Sequence, residues 1–236
     1  MPYGEPIFFE GKYKEDKVYN LYIQAISVRF KLKEGKIPTI QIKNDRFNYN
    51  PTEYLETSGE NDVILFLTNV DLKLFLEQYD IIYIDYISGW KFKSIKGLFD
   101  DYIDKWTERK IQASKEGNKG QRTLAKLMLN ALYGKFATSL TTKSKIPYLK
   151  DDVVKYQIGE LENKKGLYIP IGAFITSYAR NKTIRTSQAI RDYSLKKYGV
   201  DMYQYSDTDS CHTTLPKEDL LKIVDIDDYR LRCLEN

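Results

Sequence analysis

Between residues 21 and 33 (LYIQAISVRFKLK) apolar and polar side chains alternate after Ile26, the period of a strand with one face buried. Glu34-Gly35 supplies a turn, and residues 37–47 (IPTIQIKNDRF) read as a second strand paired with the first as a hairpin. One helix interrupts the strands: Thr68, with Asp71 three positions on, resembles a capping box ahead of VDLKLFLEQY. Residues 81–87 are strand-like again. The period changes after Gly89. Across residues 95–113, Leu98, Phe99, Tyr102, Ile103 and Trp106 fall on one side of a helix. Residues 115–120 (KEGNKG) form a polar link, and residues 121–137 a second helix, so an antiparallel helix pair is expected. Short strands follow over residues 141–169, around Lys150-Asp151-Asp152 and Asn163-Lys164-Lys165-Gly166. A third long helix runs from about residue 173 to residue 197 and stops at Gly199. A strand over residues 200–205 then leads into acidic residues. The expected fold is α+β, two β-rich segments inserted around a helical and mixed body, without repeats, low-complexity tracts or a clean linker.

Composition changes this picture little. The chain has 236 residues, enough for one large or two small domains, and is 42% hydrophobic, enough for a packed core. Twenty tyrosines give much of the aromatic content a hydroxyl, suited to a wet groove as well as a core. A net charge of +4 is too slight to establish a nucleic-acid partner. Cys211 and Cys233 lie far apart with no CxxC spacing, which argues against zinc and for two reduced thiols. No signal-peptide core and no membrane-length apolar run is present, so a soluble intracellular protein is expected.

The strongest local chemical signal is Tyr205-Ser206-Asp207-Thr208-Asp209-Ser210, directly after the apolar strand. Side chains two apart on extended chain share a face, so Asp207 and Asp209 can present two carboxylates to a hard cation such as Mg²⁺. A solvated acidic turn is the plain alternative. A calcium loop is excluded, because its sixth position would be His212 instead of glycine. In the helix over residues 121–137, Arg122, Lys126, Asn130 and Tyr133 form a narrow stripe, with Leu124, Met128, Ala131 and Leu132 expected on the buried side. Two cations, an amide and a phenol suit a nucleoside triphosphate, though an ordinary solvated face has the same composition. On the third helix, Thr176 and Tyr178 precede Arg180, Lys182, Arg185 and Arg191. Such residues make phosphate contacts that position a duplex without reading sequence. Lys31, Lys33, Lys36, Lys43 and Arg46, interleaved with Phe30 and Phe47, fit a nucleic-acid groove or, equally, a lysine-blunted sheet edge.

Three motifs in this order, KLMLNALYGKFA, TSYAR and YSDTDS, resemble the Lys-x-x-x-Asn-Ser-x-Tyr-Gly, Thr-x-x-Gly/Ala-Arg and Tyr-x-Asp-Thr-Asp-Ser motifs of family B DNA polymerases. The closer likeness is to the protein-primed branch of small phages with linear genomes. MPYGEPIFFEGKY, KEGKIPTIQIK, TNVDL, YISGWKFK and GLFDDYIDKWT resemble the same branch. The resemblance implies that Asp207 and Asp209 are catalytic, metal-binding carboxylates, with Tyr205 heading their motif. It implies that Lys126 contacts the incoming triphosphate, and that Asn130, Tyr133 and Gly134 lie around the nascent base pair. Lys110 and Arg122 match basic positions facing triphosphate or template, and Thr176 and Arg180 match primer–template contacts; Tyr205 and Lys43 join the DNA-binding set. The implied organisation is a first terminal-protein-region insertion over residues 1–98, fingers over 99–138, a second insertion over 139–170 and partial palm over 171–236.

Ala131 departs from this pattern, standing where the family usually carries Ser. The family's Asp-x-x-Ser-Leu-Tyr-Pro motif, exonuclease domain, Lys-x-Tyr motif and thumb are not found in the sequence either. Two cations stabilise the attacking and leaving oxygens in the implied two-metal reaction, so the chain alone is expected to be an inactive segment of a DNA polymerase. The implied partners are Mg²⁺, primer–template DNA, deoxynucleoside triphosphates and a priming terminal protein, in the cytoplasm of a bacterial host. A non-catalytic module that binds DNA or the terminal protein is the competing expectation.

Overall fold

The computed structural model describes residues 1–42, 53–164, 166–207 and 210–224. The chain divides into two compact units, one of Met1–Tyr3 with Ile95–Ile175 and one of Gly4–Ser94 with Thr176–Asn236. Both helices and strands are abundant, as an α+β fold requires.

The second unit is built on a four-stranded sheet in the order β1 (Pro2–Glu10), β6 (Tyr79–Ser94), β2 (Leu21–Leu32), β5 (Val63–Thr68). The alternation in β2 does what its period demands: Ile26, Val28 and Phe30 all point to one face and are fully buried. Helix α1 (Asn69–Gln78) covers that face with Leu72 and Phe75. Phe30 meets Phe75 and Tyr79 edge-on at 5.1 and 5.0 Å. The Thr68 cap is present, its side chain accepting from the Asp71 amide. Gln24 is a fully buried polar residue of this core, and its side chain is satisfied. It accepts from the Tyr13 amide at 3.0 Å and donates to the carbonyls of Gly11 and Ser88. Gly89, beside it on β6, has no room for a side chain. A Cβ there would stand 2.4 Å from both the Ile23 carbonyl oxygen and the Phe9 ring.

Among the described residues, which include 37–42 of the expected second strand, the hairpin with residues 21–33 does not form. Strand β2 pairs antiparallel with β6 along one edge, and with β5 and then the 56–58 stretch along the other, so both edges are taken. The backbone donors of the 37–40 stretch are instead taken by side chains. Ile37 donates to Gln188, and Thr39 and Ile40 donate to the Tyr79 hydroxyl. Beyond it, β3 (Gln41–Ile42) pairs with β4 (Glu53–Tyr54).

The first unit holds the antiparallel helix pair. Helices α2 (Asp100–Lys115) and α3 (Lys119–Phe136) are joined by a short turn in which the Asn118 side chain caps α3. Phe99 packs on Phe136 at 5.5 Å, and the Tyr102 hydroxyl donates to the Met128 carbonyl at 2.8 Å. The hairpin of β7 (Thr141–Lys150) and β8 (Val153–Asn163) turns at Asp151-Asp152, both with φ near +55°, the left-handed pair that matches strand twist in a two-residue turn. Helix α4 (Pro170–Tyr198) starts in this unit and continues in the other, ending at Gly199 with φ +73°. The second unit closes with β9 (Tyr203–Asp207), β10 (Ser210–Thr213) and the short α5 (Lys217–Ile223).

Candidate functional site

In the helical unit, Arg122, Lys126, Asn130 and Tyr133 of α3 are all exposed, as the stripe requires. Lys110, on α2, is half-buried, and its carbonyl accepts from Ser114. The opposite face of α3 needs correction. Leu124 and Ala131 are exposed, and the side turned inward is Ala125, Met128, Leu129, Leu132 and Phe136. The contact is set by the small Ala125, which is buried to 1% exposure, and by Phe136 against Phe99. Gly134 shares the exposed side, and a Cβ built on it meets nothing within 4 Å. No packing among the described residues accounts for a glycine in a helix interior, where it is unfavourable relative to alanine by about 0.5–1 kcal/mol.

In the sheet unit, β9 and β10 form an antiparallel hairpin with Ser210 opposite Asp207. Asp207 closes β9 with its side chain exposed, and the Ser210 hydroxyl donates to the Asp207 carbonyl at 3.0 Å. The hairpin is pinned to α4 by a small polar cluster. The fully buried Ser187 hydroxyl lies 2.8 Å from Ser206 Oγ and 3.3 Å from Cys211 Sγ, and the Tyr203 hydroxyl donates to Ser206 at 3.0 Å. Tyr205 stacks on His212 at 4.1 Å. Lys43 and Asp209 lie outside the described residues, as do Arg46, Phe47, Thr208 and Cys233. Among the described residues no group of three or more His, Cys, Asp or Glu side chains could hold a metal.

The basic face of α4 is largely neutralised. Arg180 donates to Asp71 at 2.7 Å, Arg185 pairs with Glu77 at 2.7 Å and Arg191 with Asp201 at 2.9 Å. Asp71 also accepts from Ser177 at 2.6 Å, and Thr68 reaches Ser177 at 2.9 Å. The cap of α1 therefore doubles as the anchor of Arg180. The signal was present in the sequence as Thr68 and Asp71, but a local cap motif does not announce a partner more than a hundred residues away. Thr176, one turn earlier, is half-buried. Of the N-terminal cations, Lys33 donates to the carbonyls of Leu76 and Glu77 at the end of α1, and Lys36 pairs with Asp192. Phe30 belongs to the core, so the expected interleaving of cations with exposed rings fails there.

A further polar cluster escaped the sequence reading. Asp219 of α5 is buried and accepts from Tyr193 at 2.9 Å, from Lys222 at 2.8 Å, and from Lys197 and Tyr198. The Lys197 and Lys222 ammoniums and the Tyr198 hydroxyl hold its carboxyl well below the usual carboxylate range, and the bond to Asp219 raises Lys197. These bonds tie α5 to the end of α4.

Residues 1–220 match the family of DNA polymerase type B, organellar and viral. Over 215 residues the chain is 51% identical to the DNA polymerase of Bacillus phage phi29, covering 91% of this chain and 35% of that protein. It is 37% identical over 217 residues to the DNA polymerase of Streptococcus phage Cp-1, covering 90% of this chain and 36% of the relative. Phi29 DNA polymerase complexed with primer-template DNA and incoming nucleotide substrates superposes with a TM-score of 0.78 at 48% identity, over 92% of this chain and 36% of that one. The same polymerase complexed with single-stranded DNA gives 0.74 at 46% identity, with the same coverage. The chain thus spans about a third of the length of the curated relatives it matches. It belongs to the DNA polymerase type B family of organelles and viruses.

Proposed function

We propose that this chain contributes to template-directed DNA synthesis, the transfer of a deoxynucleotide to a primer 3′-hydroxyl or to a hydroxyl of a priming terminal protein. The observation that carries the reading is the β9–β10 hairpin, which ends β9 on the exposed carboxylate of Asp207 while Ser187 and Ser206 hold the neighbouring rung against α4. An exposed carboxylate on an ordered strand end fits a hard divalent cation, which takes oxygen ligands and usually completes its shell with water and substrate phosphates. Asp207, with Asp209 two positions on, would hold such a cation, Mg²⁺ by its chemistry. When bound, it would supply charge stabilisation to the phosphates of the reacting centre.

The chain's own residues would do the rest by positioning, which dominates phosphoryl transfer. Lys126, with Arg122 and Lys110, would meet the triphosphate as point charge and planar fork. Asn130 and Tyr133 would border the new base pair, and the bare backbone at Gly134 would let it approach. Thr176 and Tyr205 would contact the DNA backbone, with Lys43. Arg180 would act while anchored to Asp71, which fixes its guanidinium with one side still partly exposed. The four segments 1–98, 99–138, 139–170 and 171–236 would then be terminal-protein-region insertion, fingers, second insertion and palm, working in the cytoplasm of a bacterial host. No helix among the described residues is long and apolar enough to cross a membrane.

The test is deoxynucleotide binding in Mg²⁺. Lys126→Ala is expected to weaken affinity by about 1.5–3 kcal/mol, the loss of one charge-assisted contact, with the circular dichroism spectrum unchanged because the side chain is exposed. Unchanged affinity would remove Lys126 from the proposed role.

A further inference from the structure

A cavity of about 410 Å³ opens in the sheet unit where the start of α1 meets β2 and β6, within the ~300–1,000 Å³ typical of small-molecule sites. None of its lining residues belongs to the three motifs described above. Its aromatic walls are Tyr13, Tyr22 and Tyr86. Tyr13 and Tyr22 stack at 3.9 Å with their planes 16° apart, and the Tyr13 hydroxyl is fixed by donating to the Tyr19 carbonyl at 2.7 Å. Asn69 accepts from the Tyr22 amide at 3.3 Å, which holds the first turn of α1 against β2. The lining includes two lysines, Lys12 and Lys73, and no carboxylate. Both lysines are exposed, and the Lys12 ammonium lies 4.9 Å from the centre of the Tyr86 ring.

These features restrict the ligand. Two ammoniums without a carboxylate disfavour a cation, and three phenols are wasted on a bare inorganic anion. A purely apolar ligand would leave both lysines and the phenol hydroxyls unused. Burial and the neighbouring phenols of Tyr13 and Tyr86 push the Tyr22 hydroxyl up from its ordinary value, so it stays a neutral donor at physiological pH. The set that remains is a planar heteroaromatic ring joined to a phosphate. We propose that this cavity binds one nucleotide, its base against Tyr13, Tyr22 and Tyr86 and its phosphate drawn to Lys12 and Lys73. Base–aromatic stacking and a nearby cation form the usual platform for single-stranded nucleic acid. The nucleotide comes either free or as one residue of a single strand, and the two sources share this chemistry.

Photocrosslinking of the full chain with 5-iododeoxyuridine tests the assignment, in two arms: the free 5′-monophosphate, and the same base within a thymidine octamer. Crosslinks are mapped by mass spectrometry. Adducts on Tyr13, Tyr22 or Tyr86 in either arm support the site. Adducts from the monomer identify a free-nucleotide site, and adducts from the octamer alone identify a single-strand site. The double variant Lys12→Glu/Lys73→Glu, both on exposed side chains, is expected to lower adduct yield at these tyrosines at least ~10-fold. Adducts confined to other residues in both arms would overturn the proposal, as would an unchanged yield in a folded double variant. Should the double variant fail to fold, the wild-type map decides alone. Lys126→Ala leaves the adduct yield at these three tyrosines unchanged while lowering any adducts around α3, which separates the proposal from the nucleotide role assigned to α3.

Discussion

Gly134 and Asp16 illustrate how much a single position can carry. A glycine in a helix weakens it through backbone entropy, and nothing within 4 Å of a Cβ at Gly134 accounts for its presence. Gly134→Ala is therefore expected to stabilise the fold by about 0.5–1 kcal/mol while weakening deoxynucleotide binding. Paired urea and nucleotide titrations read both; a variant with a lower denaturation midpoint would mean that the glycine serves the fold. Asp16 is purely structural by comparison. It accepts from Lys91 at 2.7 Å and from the amides of Val18 and Tyr19, and these bonds, the Lys91 bond foremost, pull its carboxyl down to about 2. As pH falls, the unfolded chain takes up this proton before the folded one does. The stability from Asp16 is then full above pH ~5 and is lost toward pH ~2. Urea denaturation across that range should find the wild type and Asp16→Asn converging in stability as the solution is acidified. A constant difference would contradict the role.

At the scale of elements, a buried hydroxyl of α4 helps to hold the hairpin that carries Asp207. Ser187→Ala leaves Ser206 and Cys211 without that partner, at a cost of about 1–3 kcal/mol if the remaining group is unsatisfied. Amide exchange in β9 and β10 is expected to accelerate while β2 and β6 keep their protection; equal acceleration in both would make Ser187 a general packing residue. The elements also mark where sequence reasoning holds and where it stops. Helices α2 and α3 were legible from apolar spacing, α4 from its Gly199 stop, and a break between strands from Lys150-Asp151-Asp152, because each signal is local; the short strands expected over residues 141–169 are instead the two long strands β7 and β8. The partners of β2 were not legible, since both its edges are filled by strands 35 or more residues away in sequence. A turn at Glu34-Gly35 suggested a neighbour that the side chains of Tyr79 and Gln188 had already replaced. The candidate site divides the same way. The motifs and the exposed stripe on α3 were legible, whereas the Arg180–Asp71 pair and the three α4 donors to Asp219 join elements that no local pattern links.

At the scale of the whole molecule, the chain forms two compact units. The helix pair and the β7–β8 hairpin share one unit, and the N-terminal sheet shares the other with the β9–β10 hairpin. Motif residues consequently fall in both units, Lys126 in one and Asp207 in the other, and the proposed reaction needs both. The most direct measurement is primer extension by phi29 DNA polymerase in which the segment matching this chain is replaced by it, a substitution at 51% identity over 215 residues. The folded chimera, with Mg²⁺, deoxynucleotides and primed template, is expected to extend the primer. Asp207→Asn in that chimera is expected to reduce extension at least ~100-fold, since an amide keeps the shape of the side chain but loses the charge aimed at the reacting centre. Extension by the Asp207→Asn chimera at the rate of the unsubstituted one would contradict the account, reducing the acidic hairpin to a solvated turn.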